Sequence, residues 1–218
     1  MEEAYVVLYQ GGSGEITEKK SRFIADLKPV STEEEALEFI ESVRKKYWDA
    51  RHHCFAYRIG KDSRILKASD DGEPSQTAGK PMMDVLEGQG LHNICVVVTR
   101  YFGGTLLGTG GLVRAYSQAV KEGLKNCVLV EKQPGIRLEI RTDYTGVGKI
   151  QYLAAQAGLT QLDARYEADV TFTYLVPAGE IDAFESQVTE KTAGRAKISR
   201  GKSLYFGLAE EKLVIFED

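Results

Sequence analysis

The segment Ile94-Cys95-Val96-Val97-Val98-Thr99 is apolar or β-branched throughout, with no polar alternation. A strand with one wet face alternates polar and apolar residues, so an unbroken run needs cover on both faces. It predicts a central strand in a sheet layered on both sides. The residues after it narrow the fold further: Arg100-Tyr101-Phe102, a loop with five glycines between 103 and 111, and a helix from about Leu112 to Leu124. Leu112, Tyr116, Ala119, Val120 and Leu124 form one apolar stripe on that helix.

Upstream, Tyr5 to Tyr9 and Arg22 to Pro29 read as strands separated by a turn at Gly11-Gly12-Ser13-Gly14. Ser31 and Thr32 open a helix. Glu34 and Glu35 stand three residues beyond them as capping-box partners, and Ala36, Ile40, Val43 and Tyr47 recur at helical spacing. Strands at His53 to Ile59 and Ile65 to Ala68, a polar turn at Asp70-Asp71-Gly72-Glu73-Pro74 and a helix near Gly79 to Gly88 complete the front portion.

At Lys132-Gln133-Pro134-Gly135 the pattern breaks. The remainder reads as strand 136–142, helix 145–157, strands 159–166 and 169–176, helix 178–192 and strand 196–206, which is the split βαββαβ order of ferredoxin-like domains. The expected class is α+β, with domains at 1–134 and 135–218. In strand 169–176, Val170, Phe172, Tyr174 and Val176 alternate with threonines, leaving one sheet face to water or a partner.

With 28 basic and 32 acidic side chains the net charge is -4, which excludes a globally basic nucleic-acid binder but permits a local basic surface. Cys54, Cys95 and Cys127 are widely spaced and form no CxxC pair, so buried reduced thiols are expected. No 18-residue apolar run occurs, and the start MEEAYVVLYQGG has neither a charged n-region nor an apolar h-region. The reading is a cytoplasmic protein with no membrane partner.

Strand, glycine-rich loop and helix start together bring unpaired backbone N–H groups and a positive dipole end to one place, which suits phosphate. Arg100 and Arg114 add charge. The loop is not a Walker loop, because Gly103-xxxx-Gly108 is followed by Thr109, and no GxGxxG fits it. The plainer reading is that these glycines permit tight turns and close packing.

Lys20, Arg22, His52, His53 and Arg100 lie close in sequence to Phe23, Phe55, Tyr101 and Phe102. Mixed cations and rings serve single-stranded nucleic acid; a solvated strand edge is the plainer reading. Adjacent His52 and His53 point to opposite faces of a strand and cannot chelate one ion together. Asp70, Asp71 and Glu73 could hold magnesium or move a proton, or could cap nearby backbone. Neither GxSxG nor HExxH occurs, so no catalytic residue, resident metal or cofactor is assigned.

Lys20-Ser21-Arg22-Phe23, the His52-His53 strand, Ser69 to Pro74 with Thr77-Ala78-Gly79, and Arg100-Tyr101-Phe102-Gly103-Gly104-x-x-x-Gly108-x-Gly110-Gly111 together resemble the IMPACT family in its bacterial form. The resemblance implies a front domain like the second domain of a ribosomal small-subunit protein, a GHMP-type superfold. The back domain is similar to domain five of elongation factor G. Eukaryotic members restrain a stress kinase of translation initiation and carry an additional RWD domain for it; this chain begins almost at once with the shared domain, which leaves open whether that role applies to it.

The leading expectation is a non-enzymatic regulator of translation that binds RNA, the ribosome or a translation-related protein. Its phosphate-contacting residues would be Lys20, Arg22, His52, His53, Arg100, Tyr101, Phe102, Gly103, Gly104, Gly108, Gly110, Gly111 and Arg114, with Asp70, Asp71, Glu73 and Thr77 on the rim. The alternatives are a small-molecule enzyme acting on a phosphorylated substrate at a magnesium-assisted carboxylate site, and a protein adaptor using the open face of strand 169–176.

Overall fold

A computed structural model describes residues 3–216. The chain divides into two compact units, one of residues 5–131 with 208–212, the other of 132–207 with the terminal stretches. Both mix strands and helices, and the molecule is α+β. No helix is long and apolar enough to cross a membrane among the described residues.

The front unit runs β1 (Tyr5–Gln10), β2 (Gly12–Glu18), β3 (Ser21–Pro29), α1 (Glu33–Lys46), β4 (His52–Ile59), β5 (Ile65–Ser69), α2 (Gly79–Gly88), β6 (Leu91–His92), β7 (Ile94–Tyr101) and α3 (Thr109–Leu124). The main sheet has the order β2-β3-β7-β4-β5 and is antiparallel throughout. β7 is its centre. Ile94, Val96 and Val98 join the core beneath α2 and α3, while Cys95 and Val97 join a second core beneath α1. The unbroken apolar run is thereby explained, since each face has its own layer.

Thr32 caps α1 by accepting from the Glu35 N–H at 3.2 Å, and the Glu35 carboxylate accepts from the Ser31 N–H at 2.7 Å. Acidic residues fill the first turn and Arg44-Lys45-Lys46 the last, as the helix dipole favours. Thr32→Ala is expected to cost about 1 kcal/mol; urea unfolding checks it, and an unchanged midpoint would contradict the cap.

Two expectations need correction. Gly12 to Gly14 are strand β2, not a turn: a Cβ on Gly14 would lie 2.6 Å from the Gly123 nitrogen, so the glycine lets α3 rest on the strand's backbone. The strand expected from 136 begins earlier, at Val128, and runs through 132–135 without interruption as β8 (Val128–Thr142). Pro134 lacks an N–H but keeps its carbonyl, which accepts from the Ala178 N–H at 3.0 Å.

The back unit continues with α4 (Val147–Gln156), β9 (Thr160–Tyr166), β10 (Val170–Pro177), α5 (Ile181–Lys191) and β11 (Lys197–Ala209); β12 (Lys212–Phe216) comes last, a strand not foreseen. Pairings of β9 with β10, β10 with β8 and β8 with β11 give the antiparallel order β9-β10-β8-β11 of a ferredoxin-like sheet. Leu138, Ile140, Val170, Phe172, Tyr174 and Val176 pack under α4 and α5. On the opposite face Arg141 pairs with Asp169 at 2.8 Å and Arg165 with Glu139 at 3.2 Å, so its charges largely satisfy one another.

Candidate functional site

The motif residues gather at the end of the front sheet where β3 begins and β7 ends. Register sets Arg22 beside Tyr101, and Arg100 between Phe23 and His52. The strand period carries Arg100 to the same face as Ile94, Val96 and Val98, under α2 and α3. Its side chain is 7% exposed and that of Glu73 3%. Nη1 of Arg100 donates to Glu73 Oε1 at 2.7 Å and Oε2 at 2.9 Å, and the Tyr116 hydroxyl donates to Oε1 at 2.7 Å. Nη2 lies 3.5 Å from Ser21 Oγ, and that hydroxyl accepts from the Gly103 N–H at 3.1 Å. The Cys54 thiol is 3.3 Å from the Tyr116 hydroxyl. Phe23 and Phe102 hold their rings 5.4 and 5.6 Å from the guanidinium. Burial pushes both the Cys54 thiol and the Tyr116 phenol well above their ordinary ranges, so both are neutral donors.

Arg100 and Glu73 were expected on a phosphate-binding surface and its rim; they form instead a buried ion pair that fastens the polar turn to β7. The other rim residues are similarly engaged. Asp70 Oδ1 accepts from the Ala78 and Gly79 N–H groups at 3.0 and 2.8 Å, and Oδ2 from Gln76 at 2.8 Å. Asp70 thus caps α2, which has no cap of its own on Ala78. Asp71 accepts from Arg44 at 3.2 Å and from the His53 N–H at 2.7 Å. Thr77 is buried and donates to the Pro74 carbonyl at 2.6 Å. His53 is buried with Nε2 3.0 Å from the Tyr47 carbonyl, while half-buried His52 holds the Asp71 carbonyl through Nδ1 at 2.9 Å. These contacts make the Asp70–Thr77 turn a folded structural unit.

What stays on the surface is a smaller set. Lys19 and Lys20, at φ +46° and +67°, form the exposed β2–β3 turn. The loop after β7 crosses it at Gly103, where a Cβ would lie 2.0 Å from the Lys20 carbonyl carbon. Beyond that crossing Phe102 is 54% and Leu106 83% exposed. α3 begins three residues earlier than expected, so Gly110 and Gly111 are its first turn and Gly108, at φ +72°, its N-cap. That cap supplies no side-chain acceptor and the first turn has no acidic residue. Arg114, exposed, reaches back until Nη1 is 3.7 Å from where a Gly110 Cβ would be. The N–H groups at this helix start therefore face solvent beside a cation.

On the other side of the sheet end, the Arg22 guanidinium is 5.6 Å from the Tyr101 ring centre and pairs with Glu15 at 2.8 Å. Tyr101 donates to Asp49 at 2.7 Å, in the same turn as Trp48. Trp48 is 81% exposed and was not among the residues expected at the site.

Comparison with known proteins matches these positions. The family model for the Impact N-terminal domain covers residues 19–124, and a domain of unknown function, DUF1949, covers 140–195. IMPACT family member YvyE of Bacillus subtilis is 43% identical over 205 residues, spanning 94% of each chain. This chain belongs to the IMPACT family. Within the family it is also similar to YigZ of Escherichia coli, 40% identical over 83% of this chain and 89% of the relative. Rabbit Protein IMPACT is 36% identical over 98 residues, 43% of this chain and 30% of that one. A crystal structure of a hypothetical protein superimposes with a TM-score of 0.59 at 36% identity, covering 93% of this chain and 99% of that one. The IMPACT segment 19–124 contains every member of the buried network: Ser21, Cys54, Glu73, Arg100 and Tyr116.

Proposed function

We propose that this IMPACT-family chain is a non-enzymatic translation regulator that binds RNA on the ribosome through the sheet end of its front domain. The observation that carries the reading is the start of α3, without side-chain cap or first-turn acid and flanked by Arg114, Lys19, Lys20 and the exposed Phe102 and Leu106. Free N–H groups, a dipole end and cations suit phosphate, and exposed apolar groups beside them suit bases. The magnesium-assisted enzyme is less well supported, because the carboxylates it needs are engaged: Asp70 by three backbone N–H groups, Asp71 by Arg44 and His53, Glu73 by Arg100.

The test is co-sedimentation with ribosomes across a salt series. Binding is expected to weaken as salt rises, through release of counterions from neutralised phosphates. Lys19→Ala/Lys20→Ala, both at exposed positions, is expected to flatten the log–log salt slope by about 2, near one per lost phosphate contact. Wild-type protein that stays in the supernatant at low salt would overturn the proposal.

A further inference from the structure

Trp48 is the chain's single tryptophan, and it is exposed. Tryptophan is the costliest side chain to leave in water by area, since an indole buries roughly 150–250 Å² when it packs. This one is held out by its surroundings. The Ala50 N–H donates to the Tyr47 carbonyl at 3.0 Å, closing a turn with Trp48 and Asp49 at its centre. Asp49 is then fastened to the sheet by the Tyr101 hydroxyl at 2.7 Å. The turn is thus anchored on both sides while its indole stays in solvent.

Cations stand a few residues away on both sides of that ring in the chain. α1 ends in Arg44-Lys45-Lys46, and Arg51 lies just past the turn. Lys45 and Arg51 are exposed, and neither makes an ion pair among the described residues. Lys46 covers the Tyr47 ring at 4.7 Å, and Arg22 covers that of Tyr101 at 5.6 Å. Asp49 is the turn's acidic residue; its carboxylate accepts from the neutral Tyr101 hydroxyl, so the turn sets one acidic side chain against the two free cations. An anchored, solvent-facing indole between free cations has the two elements of a single-strand site: a flat ring for a base and positive charge for the backbone on either side. A protein partner would also welcome a tryptophan, but the unpaired cations on both flanks favour a polyanion.

We infer that Trp48 is a stacking platform for an unpaired base of single-stranded RNA, with Lys45 and Arg51 contacting the adjoining phosphates. The inference rests on the RNA-binding reading above and assigns it a ligand form and a second contact point. Because an indole stacks on any base face, binding is sequence-tolerant, and a duplex, whose bases are already stacked, gains nothing from this site.

A single tryptophan makes the test direct. The intact protein is titrated with a 12-nucleotide oligouridylate and with a blunt RNA duplex of equal phosphate number, following tryptophan emission and, separately, the anisotropy of labelled RNA. The oligouridylate is expected to quench the emission and the duplex to leave it unchanged. Trp48→Ala is expected to weaken oligouridylate binding about 5- to 150-fold, the equivalent of about 1–3 kcal/mol for one stacked base, with Trp48→Phe intermediate. Trp48 is exposed, so circular dichroism should show both variants folded. Anisotropy that reports binding with unchanged emission and no effect of Trp48→Ala would overturn the stacking inference and leave the RNA reading standing. Absence of binding by both RNAs at low salt would overturn both. Quenching by a captured protein but by neither RNA would assign Trp48 to a protein interface and overturn the inference.

Discussion

Arg100→Met is expected to destabilise the front domain by about 3–5 kcal/mol, the cost of leaving one member of a buried ion pair without the other. Removing the guanidinium strands a carboxylate that is 3% exposed, with only the Tyr116 hydroxyl left to solvate it. For a chain of this size the loss corresponds to a fall in Tm of roughly 6–20 °C. Glu73→Gln should cost a similar amount for the reverse reason. It preserves shape and the bond from Tyr116 but leaves a buried guanidinium without its counter-charge.

Arg100→Met/Glu73→Leu removes both charges together, and a well-packed apolar pair is often neutral or better. The double variant is therefore expected to be more stable than either Arg100→Met or Glu73→Leu alone, a non-additivity that urea unfolding of the wild type, these two single variants and the double variant measures. Additive losses would mean that the two side chains act independently. The same experiment separates an interior role from a surface one. If Arg100 contacted phosphate, its loss would weaken RNA binding and spare stability; the geometry requires the opposite order of effects.

The central strand, its two-faced burial, α1 with its cap and α2 were all legible in the sequence, because each rests on a local pattern. β7 holds the unbroken apolar run, starts at Ile94 as expected and continues two residues past Thr99 to Tyr101, and α1 opens on a capping residue, Thr32. The direction of Arg100 was less accessible for a specific reason. An unalternating run does not say which face each residue takes, so nothing local shows whether Arg100 follows Val98 inward or leaves with Tyr101. Its partner Glu73 lies 27 residues earlier, in a turn whose polarity reads as exposure. A signal was available in the parity of Ile94, Val96, Val98 and Arg100, combined with Tyr116 on the buried stripe of the following helix. Those two positions converge on the same carboxylate. Trp48 lies outside every local pattern: it follows Tyr47, the last residue of the apolar stripe and the C-cap of α1, so helical spacing says nothing of its exposure.

Gly103→Ala is the sharpest test of how the surface loop is fixed. A Cβ there would lie 2.0 Å from the Lys20 carbonyl carbon, 2.2 Å from its oxygen and 2.4 Å from the Ser21 nitrogen. Each of these atoms is backbone, so no rotamer change relieves the clash, and either the hairpin turn or the loop must move. The cost is expected at or above the roughly 1–3 kcal/mol usual for overpacking. It should appear as faster hydrogen exchange and proteolysis at 102–108, because displacing Gly103 also breaks its N–H bond to Ser21. Gly110→Ala is the matched control. Gly110 lies in the first turn of α3, with only the end of the Arg114 side chain within 4 Å of a new Cβ. Alanine there should be neutral or stabilise the helix by up to about 1 kcal/mol. Equal behaviour of the two variants would show that loop glycines matter only for flexibility. A collapse confined to Gly103→Ala would show that the loop is held by backbone contact with the Lys19–Lys20 turn. That contact brings the two halves of the proposed RNA surface together, so loss of ribosome binding should accompany the loss of protection.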